Sequence, residues 1–327
     1  FVWSELWDWL LPFSKYVKDF WPNVLETSEV DDVYLWKNIN WKFDIIITNP
    51  PFSVELDNDT KKTVAKEFIF WDKKNSENLF IERYYQLLRE NGRLWVVLPE
   101  SVFDTTENKY IRLFIYKYFK VKAVVSLPQL TFEPYTSTKT SLLLAQKKTK
   151  KEIEAWNELW AKYSNEWGNL KTRVDNLIDV YIDWKDRSKL PSIKDLSLEE
   201  EKAILSRMLK DYIELDDQKL LPKELIEKYS DELKELCKWL VWASDLSMKK
   251  MNNDYPANTW WVFWEVSGEL NYEIFMAEVE NVGYKRTKRW EKSMPNELYR
   301  LDEKWEIILD DWKLETVLDY LRDVKWD

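Results

Sequence analysis

The stretch from Asp44 to Phe52 reads D-I-I-I-T-N-P-P-F and decides the fold of the chain. Its isoleucines, 45 to 47, form a short, β-branched, continuously apolar run, which predicts a strand buried on both faces in a parallel sheet. Pro50 and Pro51 end this strand, because proline cannot donate to a ladder. Ligands of open α/β sheets bind outside the carboxyl ends of the strands. We therefore expect Asn49 and Phe52, held on this stiff turn, to face a ligand.

The composition is that of a globular protein that contains no histidine. The 327 residues are 45% hydrophobic and 33% charged, with a formal net charge of −10, so any contact with nucleic acid requires a local basic patch. The missing histidine excludes Ser-His-Asp triads, and the single cysteine, Cys237, excludes disulfide scaffolds; we expect no metal site. No apolar run approaches the ~18 residues of a membrane span, and no signal peptide opens the chain. We expect a cytoplasmic protein with no membrane partner.

Glycine is scarce in this chain and tryptophan is abundant. At the usual ~7%, a chain of this length holds about 23 glycines, whereas this one holds 4, beside 21 tryptophans. Trp41, Trp305 and Trp312 stand in polar, turn-like surroundings where glycine is natural. Some bacterial lineages read the codon UGA as glycine, so we predict that many of these positions are glycine in the cell; the alternative is a tryptophan-rich protein. Trp156 and Trp160, four residues apart in a helical stretch, are expected to be true tryptophans.

Strands alternate with helices downstream of the opening stretch. Apolar runs predict strands, and periodic stretches predict helices: strands over 94–98, 121–127 and 141–145, helices over 76–91 and 109–119. Ser76 is expected to cap the first helix and Gly92 to end it. This alternation indicates βαβ units, an α/β fold and a mostly parallel sheet. Upstream, weaker patterns predict a short helix over 10–20 and a short strand over 30–35.

The character of the chain changes after residue 148. Residues 148–181 are highly charged with helical spacing, Ser197 to Glu200 fits a capping box that starts a helix to about residue 215, and Pro222 starts another helix to about 242. We predict a catalytic core over 1–148, a charged helical insertion over 149–255, and a segment returning to the core over 256–327. Within that last segment, 272–282 predicts a strand and 313–323 a short helix.

Asn49-Pro50-Pro51-Phe52 resembles the catalytic motif of S-adenosylmethionine-dependent DNA adenine-N6 methyltransferases. Further segments resemble the methylation subunit of type I restriction–modification systems: S-E-N-L-F-I-E-R from Ser76, N-G-R-L-W-V-V-L-P-E from Asn91, K-A-V-V-S-L-P-Q from Lys122, and I-F-M-A-E from Ile274. That family typically shows a glycine or small residue where Trp95 stands. The resemblance implies a partial Rossmann-like methyltransferase sheet with a helical insertion, S-adenosylmethionine as cofactor, and DNA with the specificity and restriction subunits as partners.

The resemblance also implies a role for each residue of the motif. The exocyclic amine of adenine is a poor nucleophile, because its lone pair is delocalised into the ring. The side-chain oxygen of Asn49 and the carbonyl of Pro50, fixed in direction by Pro51, are expected to accept the two amine hydrogens. Phe52 is expected to offer a face to the adenine, which must leave the DNA stack to reach the site.

Weaker candidates for DNA contact lie further along the chain. Thr136, Thr138 and Lys139 suit phosphate contacts, and Tyr135 suits either stacking or packing; a solvated loop is an equal alternative. The basic run K-K-T-K-K over 147–151 suits phosphate contact or, more commonly, a solvated helix start. Nothing in the chain resembles a module that reads bases in the major groove.

The cofactor half of the expected site is missing from the sequence pattern. The family binds its cofactor with a glycine-rich turn after the first strand, and residues 1–40 contain no such turn. We expect the chain to be an N-terminally truncated piece that binds S-adenosylmethionine poorly. Two other functions stay open: a non-catalytic remnant that scaffolds a partner, and a methyltransferase for an RNA base or protein glutamine, whose motifs usually carry Tyr at the fourth position.

Overall fold

A computed structural model describes residues 41–52, 54, 58, 61–62, 68–70, 76–129, 131–238, 257–286, 290–308 and 313–326. The chain divides into two compact units, Phe1–Ile153 with Tyr272–Asp327, and Glu154–Asn271. The helix and strand predicted over 10–20 and 30–35 lie outside the described residues, as does most of the stretch from 53 to 75. Among the helices described, none is both long and apolar enough to cross a membrane.

The first unit is built on a five-stranded sheet in the order β1-β2-β4-β3-β5. Its strands are β1 (Phe43–Thr48), β2 (Leu88–Pro99), β3 (Phe119–Ser126), β4 (Thr140–Lys147) and β5 (Phe275–Glu278). β1 pairs with β2 and β3 with β5 in parallel, whereas β4 lies antiparallel to both of its neighbours. Four of these five strands therefore run in one direction, which confirms the α/β fold class and the mostly parallel sheet.

The prediction that β1 is buried on both faces is wrong. Ile46 is 9% exposed, whereas Ile45 and Ile47 on the other face are 51% and 75% exposed. Within the described sheet β1 stands at the edge, with β2 as its neighbour. Side chains alternate between the two faces of a strand, so cover over one face buries only every second residue. A local apolar run indicates the strand but does not say how many of its faces are covered.

Helices α1 (Ser76–Leu87), α2 (Ser101–Asp104) and α3 (Lys109–Tyr118) belong to this unit. The predicted helix over 76–91 ends four residues early, because the chain pairs with β1 from Leu88 onward. Gly92 does not end the helix as predicted; a Cβ there would lie 2.9 Å from the Arg89 carbonyl oxygen, so glycine is required by close packing.

The C-terminal part of the first unit packs against the end of β3. Val125, Leu127, Val279 and Val317 form a buried apolar cluster. Val282 of β6 (Val282–Arg286) and Leu321 of a short terminal helix, Val317–Leu321, pack against it, and β7 (Glu291–Asn296) pairs antiparallel with β6. The predicted strand over 272–282 contains β5, and the predicted helix over 313–323 contains this shorter helix.

The second unit is helical. Its helices are α4 (Lys150–Tyr181, which begins in the first unit), α5 (Leu198–Met208), α6 (Pro222–Lys228), α7 (Ser230–Leu236) and α8 (Ala257–Glu269); the terminal helix of the first unit is α9. The capping box is confirmed, since the Glu200 N–H and the Ser197 N–H each reach the other's side chain, at 3.3 and 2.8 Å. α5 ends before residue 215, and the helix predicted from Pro222 divides in two at Tyr229. The predicted boundaries at 148 and 255 stay a prediction; the contacts divide the chain at 153 and 271.

The backbone of three tryptophans adopts a conformation that favours glycine. Trp41, Trp184 and Trp305 have φ angles of 63°, 57° and 68°, and Asn91, at 60°, completes the non-glycine residues with positive φ in the described part of the chain. The left-handed region disfavours residues that carry a Cβ, and glycine enters it freely. Trp95 lies in β2 and does not share this backbone conformation, and Trp312 lies outside the described residues.

Candidate active site at the carboxyl edge of the sheet

The motif Asn49–Phe52 leaves the carboxyl end of β1, as the sequence predicts. Asn49 and Pro51 are exposed, Pro50 is buried and Phe52 is half-buried. The Asn49 side chain makes no hydrogen bond to another residue that the structure describes. The turn therefore buries Pro50 and leaves the Asn49 carboxamide, with two donors and an acceptor, exposed.

The direction of the strands gathers the other candidate segments at this same edge. β1, β2, β3 and β5 all end here, and β4, which is reversed, begins here. Backbone hydrogen bonds join the neighbouring segments: the Glu100 N–H donates to the Lys139 carbonyl at 2.9 Å, and the Leu127 N–H donates to the Thr140 carbonyl at 2.9 Å. The stretch before β4, which contains the DNA-contact candidates, thus lies at the edge that carries the motif.

Phe52 is in contact with an aromatic ring from the stretch between β3 and β4. Its ring lies edge-to-face against Phe132, with centroids 6.0 Å apart and planes at 74°. Phe132 in turn packs against the buried cluster that contains Val125 and Leu127. The core thereby limits the orientations open to the Phe52 ring. Phe132 was not predicted as a site residue; an aromatic in a turn after Pro128 was the available signal.

The stretch from 131 to 138 is held by local and long-range hydrogen bonds, and one of its aromatic side chains is exposed. The Tyr284 hydroxyl donates to the Thr131 carbonyl at 3.0 Å, and the Thr136 hydroxyl lies 2.9 Å from that of Thr138. Tyr135, in contrast, is 84% exposed. Of the two readings that the sequence leaves open for Tyr135, stacking on a ligand suits this exposure better than packing.

Two carboxylates lie at the same edge as the basic candidate. Lys139 forms an ion pair with Glu278 at 3.3 Å. The Ser141 hydroxyl donates to Glu100 at the end of β2, with a distance of 2.5 Å. Sequence reasoning singled out neither glutamate as a site residue, because each acquires its position only through strand pairing. A phosphate that contacts Lys139 must therefore compete with the Glu278 carboxylate for the ammonium group.

Helix α1 contacts the residues that flank the motif. The Tyr84 hydroxyl lies 3.4 Å from the Thr48 hydroxyl, directly before Asn49, and the Ser76 N–H donates to the Val54 carbonyl at 3.2 Å, two residues after Phe52. Burial raises the pKa of Tyr84 above its ordinary value, so this phenol stays neutral. The helix therefore contacts the chain on both sides of the motif.

The basic run over 147–151 begins with two lysines that are not available to DNA. Lys147 and Lys148 are buried, and each ammonium group donates to carbonyls at the carboxyl end of a helix: Lys147 to Tyr85 at 2.5 Å and Leu88 at 2.6 Å, Lys148 to Tyr116 at 2.6 Å. The last carbonyls of a helix have no partner within it, and cationic side chains satisfy them. For these two lysines both alternatives are therefore wrong, since both are buried and neither contacts phosphate at the surface or lies in a solvated helix start.

The described residues do not include the glycine-rich turn that the family resemblance implies for the cofactor. The glycines within the described ranges are Gly92, Gly168, Gly268 and Gly283. Gly92 and Gly283 lie inside strands and the other two lie inside helices, so none of them forms a glycine-rich turn after a strand. No described residue is therefore assigned to S-adenosylmethionine.

The chain is similar to several known proteins. The family model described as N-6 DNA Methylase matches residues 21–203. The type I restriction enzyme EcoEI methylase subunit of Escherichia coli is 26% identical over 143 residues, which are 43% of this chain and 29% of that protein. A chain from a structure of the type I R-M system is 26% identical, with 34% of this chain and 23% of that chain covered and a TM-score of 0.29. The chain thus spans less than a third of the length of these relatives.

Proposed function

The chain belongs to the N-6 DNA methylase family, and on that premise we propose that it forms part of an enzyme that methylates N6 of adenine in DNA. The observation that carries this proposal is the turn after β1. It presents the exposed Asn49 carboxamide beside the Pro50 carbonyl and a half-buried aromatic ring, Phe52.

The turn suits the chemistry of an amine acceptor. Asn49 and Pro50 each offer a carbonyl oxygen that accepts one hydrogen of the adenine amine, which favours the tetrahedral, nucleophilic form of the nitrogen. Pro51 restricts the backbone of Pro50, because the residue before a proline is confined to extended conformations, and so sets the direction of that carbonyl. Positioning of this kind supplies most of the rate in a transfer to an already reactive methyl group. No general base is needed before the transfer, because the methylated nitrogen is cationic and acidic and releases its extra proton to water afterwards; the histidine that this chain lacks is not required.

The flipped adenine is placed by the aromatic part of the site. A base that undergoes chemistry is turned out of the duplex and stacks on aromatic side chains. Phe52 offers that face, and its edge-to-face contact with Phe132 holds the ring in one orientation.

We propose S-adenosylmethionine as the methyl donor, as the family implies. When bound, it supplies a sulfonium methyl group that is already a strong electrophile. The residues described here contribute the acceptor side: they bind the amine, orient it, and receive the flipped base.

DNA contacts are proposed for the stretch before β4. Tyr135 is 84% exposed, and Thr136, Thr138 and Lys139 lie on the same stretch at the edge that carries the motif. Hydroxyl and ammonium groups are common phosphate ligands. With a net charge of −10, this local site and not the whole surface must attract the backbone of DNA.

The partners proposed are DNA and the specificity and restriction subunits of a type I complex, in the cytoplasm. The support for this assembly is the 26% identity to the E. coli methylase subunit over 29% of its length. A separate specificity subunit also accounts for the lack of a base-reading module in the sequence.

The direct test is adenine methylation by the protein expressed from its complete natural reading frame together with the neighbouring subunit genes. N6-methyladenine in substrate DNA is measured by nucleoside mass spectrometry. We expect Asn49→Ala to lower the rate by about 100-fold or more, the scale of losing a positioned hydrogen-bond partner in the transition state. Asn169→Ala, at an exposed site on α4, is the matched control and keeps full activity. Full activity in Asn49→Ala would contradict the proposed roles.

A further inference from the structure

Glu82 is a buried carboxylate that the proposed chemistry does not use. It lies on α1, is 3% exposed, and accepts hydrogen bonds from two consecutive backbone amides. The Ile69 N–H lies 2.8 and 2.9 Å from its two oxygens, and the Phe70 N–H lies 3.1 Å from one of them. One side chain thereby pairs with two backbone N–H groups that are adjacent in the chain. The side chain thus secures a specific piece of backbone.

The segment that Glu82 secures, residues 68–70, is docked on its other side as well. Phe70 is fully buried, with its ring centroid 5.3 Å from that of Tyr110 and 5.2 Å from that of Phe114 on α3. The guanidinium of Arg83, the residue after Glu82, lies 4.4 Å from the centre of the Phe68 ring. Residues 68–70, which lie between the motif and α1 in the sequence, are therefore held in place by contacts with α1 and α3.

The helix that holds residues 68–70 is the same one that contacts the chain on both sides of the motif. Ser76 and Tyr84 of α1 contact Val54 and Thr48, on either side of Asn49–Phe52. With Glu82 added, one helix contacts the chain before the motif, directly after it, and again at 69 and 70. A shift of residues 68–70 relative to α1 would therefore act on the helix that contacts the chain on both sides of the motif.

We propose that Glu82 is a positioning residue: by binding the amides of Ile69 and Phe70 it holds the segment that follows the candidate catalytic motif against α1. The positioning role rests on the proposed function, whereas the anchoring itself does not. A carboxylate suits this task because each of its two oxygens accepts hydrogen bonds, so adjacent amides are satisfied together. Both amides reach Oε2 and the Ile69 N–H also reaches Oε1, so glutamine places an NH2 group at a position 2.8 or 2.9 Å from the Ile69 N–H.

The experiment combines hydrogen exchange with kinetics in the protein expressed from its complete reading frame, with its partner subunits. We expect Glu82→Gln to speed exchange at the amides of Ile69 and Phe70 about tenfold, the change for each ~1.4 kcal/mol lost from local stability. We expect kcat for adenine methylation to fall roughly tenfold with KM for DNA nearly unchanged, because misplacement affects the reacting geometry. Glu82→Ala, which lacks both acceptor oxygens, should show larger changes. Glu107→Gln, at an exposed site, is the matched control and should change neither quantity.

The outcomes separate the two levels of the proposal. Unchanged exchange at 69 and 70 in Glu82→Gln, with the fold intact by circular dichroism, overturns the anchoring. Faster exchange with unchanged kcat overturns the positioning role. Faster exchange in a complete complex that does not methylate adenine confirms the anchor and refutes the proposed function instead. Glu82→Gln preserves the size of the side chain, so the test does not depend on whether Glu82→Ala folds.

Discussion

Replacing Trp184 by glycine should stabilise the protein, and so should the same change at Trp305. Both tryptophans have φ near +60°. Trp184 follows α4, where the Lys185 N–H donates to the Asp179 carbonyl at 2.9 Å across six residues, the hydrogen bond of a helix end that usually carries glycine. Trp305 lies in a tight turn in which the Lys304 and Glu306 N–H groups donate to Asp302 at 2.8 and 2.9 Å.

The expected gain follows from the backbone and the exposure of the side chains. The left-handed conformation costs an L residue roughly 1–2 kcal/mol, which glycine avoids. Glycine also makes the unfolded chain more flexible, which cancels roughly 0.5–1 kcal/mol of this gain. Trp184 is 84% exposed and Trp305 82% exposed, so little buried apolar area is lost. We expect each substitution to raise the free energy of unfolding by about 0.5–1 kcal/mol.

At Trp41 the expected effect of glycine on stability is smaller. Its φ is 63°, but its ring lies 3.4 Å from the Lys147 ammonium and 5.9 Å from the Tyr85 ring. Loss of the cation–π contact, on the order of 1 kcal/mol, offsets the relief of the backbone. We expect Trp41→Gly to leave stability nearly unchanged.

The matched controls are tryptophans in a regular helix. Trp156 and Trp160 are each 2% exposed and stack in α4 with centroids 6.1 Å apart. Trp→Gly there should cost about 3–5 kcal/mol for the lost burial and about 1 kcal/mol for glycine in a helix. Denaturant unfolding followed by far-ultraviolet circular dichroism measures all five variants.

The left-handed backbone at these positions also leads to a prediction about the natural protein. If UGA is read as glycine, peptides from the source organism carry glycine at 41, 184 and 305, and mass spectrometry reads this directly. Tryptophan in those peptides, UGG in the gene at these codons, or a loss of more than about 1 kcal/mol in Trp184→Gly and Trp305→Gly would refute it.

Two further predictions concern buried charges in the first unit. Burial raises the pKa of Glu82 from 4.5 to about 7, so the protonated side chain stabilises the fold fully below pH 4.5 and this stabilisation is lost as the pH rises through 7. Unfolding titrations should show the free energy of unfolding fall by roughly 3 kcal/mol over that range, and Glu82→Gln should lack this fall. Parallel curves for the two proteins would contradict the prediction. Lys147→Met should lower the free energy of unfolding by about 1–3 kcal/mol, because the carbonyls of Tyr85 and Leu88 lose their donor; Lys151→Met, at an exposed site of the same basic run, should have no measurable effect in the same denaturant assay.

Local signals along the chain were enough for the main strands, for the starts of several helices and for the turn that carries the motif. The isoleucine run followed by Pro50-Pro51 indicated β1 and its sharp end, and Ser197 with Glu200 indicated the start of α5, because each depends on neighbours within a few residues. The place of Asn49 and Phe52 at a strand's carboxyl end followed from the same local pattern.

Other features were decided by partners distant in sequence. Pairing of Leu88 with Phe43 ended α1 early, burial of Lys147 came from the end of that helix, and the contact of Phe52 with Phe132 came from the stretch between β3 and β4. The anchoring of Ile69 by Glu82 is of the same kind.

The physical reason for this division is the range of the interactions. Turn chemistry, caps and β-branched runs act on dihedral angles of adjacent residues, so the sequence by itself determined the strand, the stiff turn and the residues it presents. Burial, edge position and the charge state of an internal side chain depend on what packs against it, and these arise only when the strands are brought into register. The tertiary structure alone therefore decided which faces of β1 are covered, which lysines are withdrawn from the surface, and which helix holds the turn in place.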